Sequence, residues 1–364
     1  MKKARVQPRP PAVRKVAVFL PNWLGDVVMA TPALRALRRH FGPQTEIVGI
    51  LRPHLAEVLV GTRFLDEQWH FDPRSHNPRA RRWTLVRELR RRRFDLALLL
   101  TNSFHTALLA WLGGAQQRVG YARDGRSFLL THPVQTRRDV SGHIEPEPVV
   151  RTLLKLTEIV GCGPESPRLE LSTTPQDEAA ADTAWRNLGL RGDGKAIALN
   201  LSGAYGPAKL WPEAYGAELA ATICDELGRE VLVICGPQER EAARRIATLA
   251  DRRGVVSLAD QPLGIGLTKA CLRRCQLLVT TDSGPRHVAS AFGVPVVTLF
   301  GPTLPIWVDN PSIIAANLHL DLECIGCRAR HCPKGHHRCM RDLTPAMVFG
   351  EVIRLLEESG RRAA

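Results

Sequence analysis

The stretch from residue 279 to 302, VTTDSGPRHVASAFGVPVVTLFGP, restricts the fold more than any other part of the chain. Residues 276–280 and 294–300 are apolar runs of buried-strand length. Between them Asp282-Ser283-Gly284 reads as a helix cap and tight turn, and 286–292 as a short amphipathic helix stopped by Gly293. Strand, turn, helix and strand make a βαβ unit, which belongs to a parallel sheet. Its polar turn falls at the carboxyl edge of that sheet, where open α/β folds bind ligands. The free N–H groups of a helix start at that edge favour an anion, typically a phosphate. A site for a phosphorylated ligand is therefore the first expectation.

The same alternation extends in both directions. Residues 15–20 read as a strand, 21–26 as a turn, 27–40 as a helix and 45–50 as a second strand, so the chain opens as βαβ. Strand patterns follow at 67–71, 95–100 and 117–120, with helical patterns at 79–93 and 105–112. Residues 122–148 are polar and irregular, 146–160 read as a helix, and 161–176, with three prolines, resemble a linker. A second series of strands is expected at 196–201, 230–235, 255–258, 276–280 and 294–300. Helices at 213–227, 238–250, 267–274 and 286–292 alternate with them, and 344–359 closes the chain. At 364 residues the chain exceeds one typical core. The expected architecture is α/β, with two facing Rossmann-like doubly wound domains and a cleft between them. The divisions are a basic tail at 1–13, a first domain at 14–165, a linker at 166–178 and a second domain at 179–343. A final helix, 344–364, is available to pack back on the first domain.

Charge narrows the partners. Fifty basic residues against 36 acidic ones give +14, which favours anions. The densest basic run, 79–93, reads either as a solvated helix or as a face for a membrane or polyanion. Nucleic acid is disfavoured, because aromatic content is 5% and no helix-turn-helix or RNA-recognition pattern occurs. No apolar run reaches the roughly 18 residues of a membrane span. Residues 1–14 lack the apolar core and small-residue cleavage site of a signal peptide, so a cytoplasmic location is expected. An odd total of nine cysteines then argues for reduced thiols.

Four places can carry chemistry. In NLSGAYGPAKLWPE, residues 200–213, a glycine-rich loop after a strand delivers Lys209 just before a helix. Such a loop can bring backbone N–H groups to a diphosphate, with the lysine as a point charge or as a plain surface residue. It lacks Walker A spacing, and no GxGxxG follows the first strand, which argues against a nicotinamide-dependent dehydrogenase. Asp26, in the first loop, reads as a helix cap or as a general base facing the cleft. Asp282 carries the same ambiguity, and His287 lies one helical turn further on, to touch a ligand or simply to pack. Cys324, Cys327, Cys332 and Cys339 follow C-x2-C-x4-C-x6-C with His331, His336 and His337 interleaved. The first pair has zinc-ligand spacing, but the remainder fits no standard ribbon or finger. The cluster reads as a structural zinc site or as a loop of reduced thiols.

Together, PNWLGDVVMATPALRALRRHFG (21–42), GAYGPAKLWPEAYGAEL (203–219), TTDSGPRHVASAFGVPVVTLFGPT (280–303) and CPKGHHRCMRDLTPAMV (332–348) resemble the lipopolysaccharide heptosyltransferases of glycosyltransferase family 9, most of all the heptosyltransferase II branch. The resemblance runs from about residue 13 to 357 and implies a GT-B fold. It implies inverting transfer of L-glycero-D-manno-heptose from ADP-heptose to a phosphorylated inner-core acceptor at an anionic membrane surface. By motif position Asp26 matches the catalytic aspartate, and Lys209 the lysine that neutralises the departing diphosphate. Asp282, Ser283, Gly284 and His287 match the D-[TS]-G-x-x-H donor motif, with serine for threonine. Ser202 and Gly203 belong to the donor-side glycine loop, Gln238 falls near the nucleoside and Leu263 near the adenine. No Asp-x-Asp stands in a suitable loop, so metal-independent chemistry with no required cofactor is expected.

Overall fold

The computed structural model describes residues 13–75, 81–201, 203 and 205–363. The basic tail at 1–13 lies outside them apart from Val13, as do Arg79 and Ala80 of the arginine run. The first domain runs β1 (Lys15–Phe19), α1 (Leu24–Met29), α2 (Thr31–Phe41), β2 (Glu46–Leu51), β3 (Glu67–His70) and α3 (Arg82–Arg92). It continues with β4 (Leu96–Leu99), α4 (Phe104–Leu112), β5 (Gln117–Tyr121), β6 (His132–Val134) and α5 (Val149–Ile159). These six strands pair in parallel in the order β3-β2-β1-β4-β5-β6.

The second domain runs α6 (Pro175–Leu188), β7 (Ile197–Asn200), α7 (Glu213–Leu227), β8 (Val231–Val233), α8 (Arg240–Ala250), β9 (Val255–Ser257) and α9 (Ile265–Arg273). Then come β10 (Leu277–Thr281), α10 (Gly284–Ala291), β11 (Val296–Leu299), β12 (Ala315–Leu318), α11 (Arg338–Arg341) and α12 (Pro345–Ala363). Its sheet is also parallel, ordered β12-β11-β10-β7-β8-β9. Counted from each domain's own first strand, both orders are 3-2-1-4-5-6, the doubly wound dinucleotide-binding topology. In both sheets the order reverses between the first and fourth strands, where neighbouring loops part and leave a crevice. The loop after β1 leads into Asp26 in the first turn of α1, and the loops after β7 and β10 carry Lys209 and Asp282. The central strands are apolar without alternation because helices cover both faces: every residue of β4, β7, β10 and β11 is buried.

Local chemistry explains where the elements depart from the simple pattern. Residues 27–40 form two helices, because Pro32 in the first turn of α2 has no N–H to extend the α1 ladder. The Thr31 hydroxyl donates to the Val28 carbonyl at 2.7 Å instead. The linker stops short of residue 178: α6 opens at Pro175 with a capping box in which Thr174 and Asp177 exchange hydrogen bonds. β6 and β12 were not evident as strands, being short and only partly buried at sheet edges. The final helix does not follow the expected path back to the first domain. Its apolar stripe, Val348, Val352 and Leu355, is buried in the second core with Leu219, Ile223 and Leu299.

Two polar anchors hold the domains together. Lys269 on α9 has no exposed surface and donates to the carbonyls of Glu57 and Val60 in the first domain and Ser172 in the linker. Arg35 on α2 donates to Glu165, Glu170 and the Ser166 and Arg168 carbonyls, tying the linker to the first domain. Among the described residues no helix is long and apolar enough to cross a membrane.

Candidate functional site

The site forms where the first turns of α1 and α10 meet across the domain boundary. A Cβ on Gly25 would stand 2.7 Å from His287 Cδ2, and one on Gly284 2.6 Å from Leu24 Cδ2. Neither glycine has room for a side chain, so the two helix starts approach as bare backbone. That approach brings Asp26 within electrostatic reach of Asp282 and Lys209. Burial, then the Asp282 charge, push the Asp26 carboxyl up to about 6, while Lys209 pulls it down. Asp26 is the third residue of α1 and not its cap; the cap is Trp23, which supplies no side-chain bond. A carboxylate raised towards neutrality beside a cation has the properties of a general base.

Lys209 faces it from the second domain, 8% exposed. Its ammonium donates to Asp282 Oδ2 at 2.7 Å and to the Asp282 carbonyl at 2.8 Å, and lies 4.7 Å from the Tyr205 ring centroid. Thr303 Oγ1 donates to the same Oδ2 at 2.6 Å. Burial alone would raise the Asp282 carboxyl, but the Lys209 charge and hydrogen bond, helped by Thr303, hold it below the ordinary range. Asp282 is therefore the counter-ion of Lys209 and not the cap of α10. Ser283 occupies the cap position, yet its hydroxyl turns to Asn200 Oδ1 at 3.1 Å. Among the described residues the cap side chain supplies no bond to the opening amides of α10, which leaves them for a ligand anion. His287 is kept neutral by burial and then by the neighbouring Arg286, with a pKa pushed down to about 3. Arg286 is structural: it is buried and donates to Thr298 Oγ1 and Asn317 Oδ1.

A sequence profile of glycosyltransferase family 9 (heptosyltransferase) matches residues 82–338. The chain belongs to glycosyltransferase family 9. It is 26% identical over 352 residues to a lipooligosaccharide heptosyltransferase 2 of Campylobacter jejuni, covering 94% of this chain and 99% of the relative. The Escherichia coli ADP-heptose lipopolysaccharide heptosyltransferase II superposes with a TM-score of 0.76 at 25% identity, covering 95% of this chain and 99% of that one. A family 9 glycosyltransferase of Veillonella parvula gives a TM-score of 0.79 at 24% identity, over 95% and 97% of the two chains. The two-domain architecture is thus the GT-B fold, and the chain is a glycosyltransferase.

Of the other residues expected of a family 9 donor site, Gly203, Gln238 and Leu263 lie on separate loops after strands of the second sheet. Gly203 lies beside Ser283, where an added Cβ would meet the Ser283 Cβ at 3.4 Å, and Ser202 falls outside the described residues. Gln238 is exposed in the turn after β8, and Leu263 is half-buried just before α9. The cysteine loop supports the lysine loop from behind. Arg330 accepts the Ala208 N–H at its carbonyl, Tyr205 donates its hydroxyl to the Arg328 carbonyl, and His337 Nε2 meets the Ala208 carbonyl at 2.8 Å. Burial, then the nearby Cys324, Cys332 and Cys327, push the Cys339 thiol up to about 11, which places the four in one neighbourhood. All are free thiols, and among the described residues no three His, Cys, Asp or Glu side chains are disposed to hold a metal. Of the two alternatives for the cluster, the zinc site thus finds no preformed ligand set among the described residues. Residue-type reasoning overlooked Asn200 and Thr303, whose only sequence signal is their position at the carboxyl ends of β7 and β11.

Proposed function

We propose that this family 9 enzyme is an inverting heptosyltransferase that moves L-glycero-D-manno-heptose from ADP-heptose to the lipopolysaccharide inner core, a reading supported by relatives named as heptosyltransferases 2 and as an ADP-heptose lipopolysaccharide heptosyltransferase II. The observation that carries the reading is the meeting of Asp26 with the Lys209–Asp282 pair across the domain boundary. The acceptor hydroxyl gives its proton to the Asp26 carboxylate as its oxygen attacks the anomeric carbon opposite the leaving group. The bond from that carbon to the β-phosphate oxygen breaks, and the electron pair leaves with ADP. Lys209 and the unfilled amides of α10 meet the charge that develops there, the role a divalent ion plays in other transferases. The test is transfer to a heptose-truncated core acceptor in EDTA, with ADP-heptose compared to other nucleotide sugars and the product linkage read by NMR. Heptosyl product of inverted configuration is expected; retention, dependence on a divalent ion or preference for another nucleotide sugar overturns the reading.

The same proposal places the enzyme on an anionic membrane surface from the cytoplasmic side, with the first domain towards the lipid. α3 buries Leu85, Val86 and Leu89 and exposes Arg82, Arg87, Arg90 and Arg93 together with Trp83, which is 75% exposed. A tryptophan among arginines suits the headgroup region of a membrane. Co-sedimentation with anionic liposomes should fall steeply between low and physiological salt, and Trp83→Ala should weaken it further. Binding that ignores salt, or none at all, would defeat this assignment.

A further inference from the structure

The crevice of the first sheet holds a small open cavity of about 50 Å³ whose lining includes Asn22, Arg52, Phe71, Thr101, Ser103 and His105. These residues come from the carboxyl ends of β1 to β4 and the start of α4. Asn22 stands four positions before Asp26, in the turn that leads into α1. The walls are built and not merely exposed. Arg52 donates from Nε to Asn22 Oδ1 at 2.9 Å and from Nη1 to Asp72 Oδ1 at 2.8 Å. Its guanidinium lies 5.9 Å from the Phe71 ring centroid, and Phe71 stacks on the His105 imidazole at 6.0 Å. Ser103 Oγ accepts the His105 backbone N–H at 3.1 Å and fixes the start of α4.

Two features of this wall call for an anion. His105 Nε2 is buried and has no hydrogen-bond partner among the described residues. A buried polar atom of that kind costs stability unless something binds it. The charge balance is also one-sided. Arg126, fully buried behind the Ser103 turn, donates to the carbonyls of Tyr121 and Ser103 and to Asn102 Oδ1, and feels the charge of Asp124. Arg52 in the wall and Arg82 both act on the His105 ring, and Asp72 is already engaged by Arg52.

We infer that this cavity is an anion subsite for the acceptor, in which Arg52 and the His105 Nε2–H donate to a phosphate or carboxylate on the sugar that receives heptose. The subsite rests on the heptosyl-transfer reading for the identity of the acceptor, but its anion chemistry stands apart from that reading. It holds the acceptor by its charge while the adjacent hydroxyl faces Asp26.

Two measurements on the full chain test it. In steady-state kinetics, Arg52→Gln and His105→Phe should each raise the acceptor KM about 10- to 100-fold, the range of a hydrogen bond to a charged group. Turnover at saturation and the ADP-heptose KM should change little. Wild-type enzyme on an acceptor stripped of phosphate, or with its carboxylates converted to amides, should show the same loss, and the variants no further loss on whichever acceptor reproduces it. That arm identifies the anion, and fully additive losses overturn the subsite. In the second measurement, inorganic phosphate is titrated while the His105 ring is followed by NMR in folded protein. A saturable shift in wild type that disappears in Arg52→Gln is expected, and an unmoved ring overturns the proposal. This readout needs no transfer, so a chain that binds phosphate here but fails to move heptose rejects the proposed activity and retains the subsite.

Discussion

Asp26→Asn should lower turnover by about three orders of magnitude, within the range general-base catalysis contributes, while ADP affinity stays within about threefold of wild type. The amide keeps the size of the side chain and removes its ability to take the acceptor proton. ADP affinity is spared because Lys209, the α10 amides and the loops after β8 and β9 lie on the other domain. The pH profile gives a second signature. With the Asp26 carboxyl raised to about 6, kcat/KM should fall tenfold per pH unit below about 6 and level off above it. Stability moves the opposite way. A carboxyl whose folded pKa lies above its ordinary value of 3.8 is favoured protonated, so its contribution is full below that value and lost as pH rises through about 6. At pH 8 the ionised, buried group therefore destabilises the fold, and Asp26→Asn should recover something of the order of 3 kcal/mol. A variant that is more stable yet inactive marks a residue kept for chemistry. Lost ADP binding with retained turnover would sink the assignment.

The double alternation was legible because parallel strands buried on both faces leave unbroken apolar runs such as 96–99, and because most βα turns carry glycine, aspartate or proline. The elements that escaped notice were those whose signal is weak for a physical reason. β6, His-Pro-Val at an exposed edge, has no apolar run to show. α6 starts at a proline inside a proline-rich stretch, and only the Thr174–Asp177 capping box distinguishes helix from linker. In the site, residue types and their loops could be read, but their pairings could not. Nothing in the sequence says that Asp282 turns to Lys209, 73 positions earlier, in place of capping the helix it precedes. The same holds for Asp26, whose environment is set by α10 across the domain boundary. Such long-range contacts follow from how the two sheets are placed, which local periodicity does not encode.

Lys209→Ala should reduce kcat/KM for ADP-heptose by about 100- to 1,000-fold, the usual loss for a group that meets transition-state charge. Unlike Asp26→Asn it should also weaken ADP, because the lysine charge serves ground-state and departing diphosphate alike. One complication has to be separated from this effect. The ammonium is also the counter-ion of the buried Asp282, so its removal leaves an uncompensated carboxylate where the phosphates belong. The double variant Lys209→Ala, Asp282→Asn distinguishes the two roles. If Lys209 acts on the diphosphate, cancelling the stray carboxylate recovers part of the ADP affinity but little of the rate. If it only neutralises Asp282, the double variant approaches wild type in both. The base reports independently on the same field. Lys209 lowers the Asp26 pKa and Asp282 raises it, so the acid limb of the residual activity should move above about 6 in Lys209→Ala and below it in Asp282→Asn. An acid limb unmoved in both variants would mean that the two domains do not share one electrostatic site, and the mechanism built on their meeting would fall with it.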